Sequence, residues 1–255
     1  MTDTPEAAPS GAGMSGKVFL YDQPELLTPE EHGTLGLTPS DRPFEFVATV
    51  RVIPLTMTEF SSAQRHYPIV FASLDQPVPL AVVGLLEDVN LFVADGQWDQ
   101  QAYLPSYLRC YPFGFAAGDE GRVAVVIDRA AKVVTENPTY PFFADGKLTK
   151  ETESVMRFCA QYEGERKRTQ EFAGKLKELG LLVSQQATYT PEGATEEQTL
   201  ASFVSIDAKK LSELDAEAVH AMHKVGQLSA AYLQLYSLEN WRALLARRFR
   251  RQKAS

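Results

Sequence analysis

The 255-residue sequence predicts an α+β fold, and three observations carry that expectation. Short β-branched and apolar runs bounded by proline, glycine and aspartate fill residues 18–146. A single helical period runs through residues 149–180. Beyond it a polar turn separates two strand-like runs, and the chain closes in short amphipathic segments. A strand-rich part over 18–146 is therefore expected to pack with a long helix, a β-hairpin and a C-terminal helical segment over 147–255, the two sharing a core. Residues 1–17, rich in Thr, Pro, Ala, Ser and Gly, read as a disordered tail.

Each element has a local reason. Thr28-Pro29-Glu30-Glu31 places an N-cap threonine before proline at the first helical position and glutamate at the third. Thr56-Met57-Thr58-Glu59 repeats the box ahead of Phe60–Arg65. Phe44–Val52, Ile69–Phe71, Leu80–Leu86, Asn90–Val93 and Val123–Ile127 read as strands, with prolines at their edges and turns. In the long helix Val155, Phe158, Cys159, Tyr162, Thr169, Phe172, Leu176 and Leu179 recur at spacings of mostly three and four, with Gly180 as its end. Gly164 and Gly174 inside it suggest a bend or a close backbone approach, since each costs about 1 kcal/mol against alanine. Leu182–Thr190 and Gln198–Ile206 form the hairpin across a turn at 191–197. Asp207 and Asp215 cap short helices, Gly226 breaks the second, Leu228–Tyr236 is another, and Ser237 is expected to cap the last.

Composition narrows the function classes. The net charge of −8 is uneven: Arg242, Arg247, Arg248, Arg250, Arg251 and Lys253 lie in the last stretch, with no acid after Glu239. An acidic body argues against a nucleic-acid partner. The basic end complements a helix dipole, or touches an acidic partner or a membrane surface. No apolar run reaches the roughly 18–20 residues of a membrane span. The first residues lack a basic and an apolar region, so the expected location is cytoplasmic, with export to the envelope as the alternative. Two cysteines read as reduced thiols.

Catalytic signatures are missing from the sequence. His220 and His223 stand at i, i+3 without the glutamate of a metalloprotease helix, which leaves them weak metal candidates. None of the four histidines has an acid two residues on, against a non-haem iron site. Serine-hydrolase, phosphate-loop and dinucleotide motifs are absent, and no cofactor is expected. Cys110 beside Arg109 has the makings of a nucleophile but no neighbouring histidine in sequence. Glu59, Asp95 and Asp99 read as solvated turn acids. The densest feature is aromatic: Trp98, Tyr103, Tyr107, Tyr111, Phe113 and Phe115 fall close together around Arg109. They form either a core of strand aromatics or a pocket of flat apolar faces with one fixed cation. In the second reading Trp98, Tyr103, Arg109, Tyr111 and Asn90 bind a protein or peptide partner, or a small anionic ligand.

The order Pro54-Leu55, Glu59-Phe60, Tyr67-Pro68-Ile69-Val70-Phe71, Gly84-Leu85, Asn90-Leu91-Phe92, Gly96-x-Trp98, Tyr103-x-Pro105, Arg109-x-Tyr111-Pro112-Phe113 resembles the SapC family of bacterial proteins. So do Gln170–Leu182, Phe203–Asp207, Gly226-Gln227-Leu228 and Ser237-Leu238-Glu239-Asn240, over roughly residues 18–248. The resemblance implies an association with surface-layer loci and with outer-membrane uptake genes. It implies no molecular activity and no catalytic residue. The expectation is a non-catalytic accessory or peptide- or ligand-binding protein, with an enzyme modifying a peptide or side chain, or a surface-layer subunit, as alternatives. The family often carries a second arginine where this chain has Cys110, which leaves any anion site here to Arg109 alone.

Overall fold

The computed structural model describes residues 18–85, 89–117, 123–190 and 195–254. The tail at 1–17, Leu86 at the end of an apolar run, and residues 191–194 of the hairpin turn lie outside the described residues. In chain order the strands are β1 (Pro24–Leu26), β2 (Leu35–Leu37), β3 (Val52–Pro54), β4 (Ile69–Phe71), β5 (Pro79–Val82), β6 (Val93–Ala94), β7 (Gln97–Trp98) and β8 (Phe113–Ala117). They continue as β9 (Val123–Asp128), β10 (Val134–Glu136), β11 (Tyr140–Pro141), β12 (Phe143–Ala144), β13 (Lys147–Leu148), β14 (Leu182–Tyr189) and β15 (Gln198–Ile206). The helices are α1 (Pro29–His32), α2 (Phe60–Ala63), α3 (Ser106–Cys110), α4 (Lys150–Glu178), α5 (Ala208–Ser212), α6 (Ala216–Lys224), α7 (Gln227–Ser237) and α8 (Asn240–Ala254). Long helices and several small sheets make the fold α+β, as the sequence predicts.

The chain divides into two compact units. One joins the segment ending at Thr38 to Pro112–Met156; the other joins Pro39–Tyr111 to Arg157–Ser255. The first holds the antiparallel sheets β1-β9-β8 and β10-β2-β11 and the hairpin β12-β13. Its core includes Val126, Ile127 and the edge-on pair Phe113 and Phe142. The Tyr21 hydroxyl donates to the Phe113 carbonyl at 2.5 Å, so a buried phenol is satisfied. Thr28 accepts from the Glu31 N–H, as its capping position requires.

The second unit is built on one five-stranded antiparallel sheet, β14-β15-β4-β5-β3. Residues 52–82 supply three strands and residues 182–206 supply two, so segments a hundred residues apart close one sheet. The central junction is thin: β15 meets β4 at the single pair Val204 and Phe71. A side chain fills the gap. Gln234 of α7, wholly buried, donates from Nε2 to the Ile69 carbonyl at 2.8 Å and accepts the Ile206 N–H at Oε1 at 3.2 Å. Its amide thus stands in for a ladder rung. Ser237 completes the splice by accepting the Ile69 N–H at 2.9 Å. This corrects one expectation: Ser237 lies at the end of α7 and pins β4, rather than capping α8.

A second correction concerns α4. A Cβ added at Gly164 or Gly174 meets nothing within 4 Å, so neither glycine serves a close approach. Two hairpin turns add to the expected elements. Asp95-Gly96 joins β6 to β7 and Asp145-Gly146 joins β12 to β13, all four residues with φ between 51° and 74°. Aspartate followed by glycine is the pairing that such two-residue turns favour.

Candidate functional site

The residues singled out by sequence fall into three separate environments. The first is a buried carboxylate. Glu59, 6% exposed, closes the capping box by accepting the Thr56 N–H at 2.8 Å and its hydroxyl at 2.9 Å. Its other oxygen accepts the Tyr103 hydroxyl at 3.0 Å and the Ser106 N–H, at the start of α3, at 2.7 Å. Glu59 is therefore no solvated turn acid: it ties the box, Tyr103 and α3 together. Burial and the neighbouring Glu59 charge push the Tyr103 phenol up to about 12, so it stays a donor. The adjoining Met57 N–H is held by Thr169 of α4 at 2.8 Å.

The second environment is an aromatic stack. Tyr67, Phe92 and Trp98 stand ring against ring at 4.7 Å and 6.0 Å, and Phe44 adds to Trp98 at 6.0 Å. The Tyr67 hydroxyl donates to the Tyr103 carbonyl, and burial takes its pKa well above the usual 10. Asn90 is wholly buried, its amide donating to the Val47 carbonyl and accepting the Phe92 N–H. Two arginines of the basic C-terminal helix also serve this stack. Arg247 lies 4.2 Å over the Phe92 ring and bonds Asp99 at 2.6 Å, while Arg251 donates to the Asn90 and Val93 carbonyls. The Gln101 N–H and Arg247 hold the Asp99 carboxyl below its ordinary range. Burial, followed by Arg65 and Arg247, lowers His66 beside them.

In the third environment Arg109 and Tyr111 stand on different platforms. The Arg109 guanidinium covers the Phe158 ring at 4.3 Å, and Tyr111 stacks on Phe46 at 3.9 Å and 13°. Asn90 and Trp98 are thus packed inside, Tyr103 belongs to the Glu59 hub, and Arg109 and Tyr111 lie at the surface or near it. Phe113 and Phe115, the end of the aromatic block, belong to β8 of the other unit. His220 and His223 are exposed on α6, and among the described residues no three His, Cys, Asp or Glu side chains come together for a metal.

The structure opens a cleft elsewhere, on the five-stranded sheet. Its volume is about 380 Å³. The floor comes from the register partners Val52 of β3 and Val82 of β5, with Val70 of β4, and from Leu85 and Leu200. Phe203 and Trp241 form an aromatic wall, their rings 5.1 Å apart. Trp241 is mostly buried, and its indole Nε1 has no hydrogen-bond partner among the described residues. Exposed Arg51 and Ser202 complete the lining. Arg51 is fixed by its own backbone, whose carbonyl accepts the N–H groups of Val83 and Gly84. Gly84 is required there, because a Cβ would meet the Val89 carbonyl at 2.2 Å and the Arg51 backbone at 3.2 Å.

None of the five residues expected to bind a ligand lines this cleft. Its makers lay in plain strand runs and on the apolar face of the last helix, where β-branched residues carry no chemical signature. The one local trace was Gly84, a glycine inside the apolar run Leu80–Leu86, a position that in a strand marks a close backbone approach.

Fold and cleft together define an α+β protein with an apolar, arginine-rimmed cleft on an antiparallel sheet. The sequence pattern of the SapC family matches residues 27–244, and the chain belongs to that family. No curated protein and no solved structure matches it.

Proposed function

We propose that this SapC protein is a non-catalytic binding protein, accessory to a bacterial cell-surface or outer-membrane uptake system, and that it holds a small anionic ligand with an apolar body in the sheet-face cleft. The observation that carries this reading is the make-up of the lining. A floor of aliphatic side chains, all buried except half-buried Val52, and an aromatic wall suit an apolar body. Arg51, the one ionisable side chain among the described lining residues, suits one carboxylate or similar head. Family membership supports the accessory setting.

Calorimetric titration of the full chain with octanoate and with 1-octanol tests the proposal. Octanoate is expected to bind saturably, and Arg51→Gln to weaken it roughly tenfold while leaving octanol unchanged, the size of one charge-assisted hydrogen bond. Equal affinity for acid and alcohol in the wild type, or no saturable binding of either, would contradict it.

A further inference from the structure

The two cysteines of the chain, 49 positions apart in sequence, are brought together in the second unit. Cys110 closes the five-residue helix α3 and Cys159 lies in α4. Both are buried, at 4% and 1% exposure. The Cys159 Sγ lies 4.0 Å from the Cys110 carbonyl oxygen, so the thiol sits directly over its partner's backbone. Beyond Cys110 the backbone leaves helical geometry at Tyr111, with ψ at 135°, so one end of α3 is not fixed by further helix.

We propose that Cys110 and Cys159 are a peroxide-sensitive thiol pair that closes to a reversible disulfide. The neighbouring Cys110 thiol lowers the Cys159 pKa, whereas Cys159, burial and the Glu59 charge raise that of Cys110. Cys159 is accordingly the attacking sulfur. Its thiolate attacks one peroxide oxygen, the O–O bond breaks, and after protonation Cys159 is a sulfenic acid and one water has left. Cys110 then loses its proton and attacks the Cys159 sulfur. The S–O bond breaks, and the departing hydroxide takes a proton to leave as a second water. Two thiols have given two electrons to one peroxide. Because both sulfurs are buried, the oxidant is a small one such as hydrogen peroxide, not a bulky disulfide.

The test is intact mass after hydrogen peroxide treatment of the purified full chain, followed by alkylation under denaturing, non-reducing conditions. The expected product is a monomer lighter by about 2 Da that takes up no alkylating agent and recovers both thiols with dithiothreitol. In Cys110→Ser the lone Cys159 is expected to gain oxygen, in steps of about 16 Da, instead of closing. Cys159→Ser is expected to react far more slowly, and it serves where Cys110→Ser does not fold. The oxidised wild type is expected to melt roughly 5–15 °C higher, since the bond closes a long loop. Two alkylated thiols after oxidation, disulfide-linked dimers, independent oxygen uptake at each cysteine in the wild type, or a melting temperature unchanged or lowered by closure would each overturn the proposal.

Discussion

Glu59 accepts four hydrogen bonds while buried, from three residues of different parts of the local structure: Thr56 twice, Tyr103 and Ser106. A carboxylate so placed is stable only while all its oxygens are engaged. Glu59→Gln keeps the shape but turns an N–H₂ toward donors, and is expected to cost about 3 kcal/mol in chemical denaturation. Glu59→Asp, too short to reach Ser106 and Thr56 together, is expected to lose a similar amount. A change under 0.5 kcal/mol for the glutamine variant would show that the hub is not a stabilising feature. Half of this hub is legible in sequence, because Thr56 and Glu59 sit at capping-box spacing. The other half is not, because Tyr103 and Ser106 arrive from 44 and 47 residues away and nothing local marks them as partners. The same limit explains Arg247 and Arg251. A run of arginines at a chain end reads as a solvated helix terminus, whereas these two reach back to Asp99, Asn90 and Val93.

At the scale of elements, the helices and hairpins follow local rules closely. The long helix spans Lys150–Glu178 and the following hairpin has the expected limits to within a residue or two. Exceptions have identifiable causes. Ser237 has the residue type of a cap, yet the unpaired Ile69 N–H of the thin β4–β15 junction competes for its hydroxyl. Gly164 and Gly174 carry the cost of glycine in a helix with no compensating contact, being exposed and facing open space. Gly164→Ala and Gly174→Ala are each expected to stabilise the fold, by up to about 1 kcal/mol, and to add when combined. Thermal unfolding measures this directly; destabilisation by either substitution would mean that the helix needs the bare backbone there.

The whole molecule carries the functional claim. Alternating strand and helix patterns made the α+β class readable, and the string from Pro54 to Phe113 marked the family. The cleft was not readable. It exists because β3–β5 and β14–β15 meet in one sheet, and pairing over such sequence separation leaves no local trace. The aromatic block, by contrast, reads in sequence as either a core or a binding surface, because tyrosine, tryptophan and arginine favour interfaces as well as cores. In the structure most of its residues satisfy one another. Trp98 and Asn90 are packed away, while the cleft is lined by valines, leucines and one distant tryptophan.

The most direct measurement uses that tryptophan. The chain has two, Trp98 in the stack and Trp241 in the cleft wall, so Trp98→Phe leaves Trp241 as sole reporter. Its emission is followed while octanoate is added to the full-length Trp98→Phe chain, and again in Trp98→Phe/Ser202→Phe, where the added ring fills the mouth without adding an emitter. A saturable shift in the first, lost in the second, is the result predicted for a ligand seated against Phe203 and Trp241. Emission unchanged up to millimolar octanoate, or a shift that persists with the mouth filled, would contradict the assignment of the cleft as the binding site.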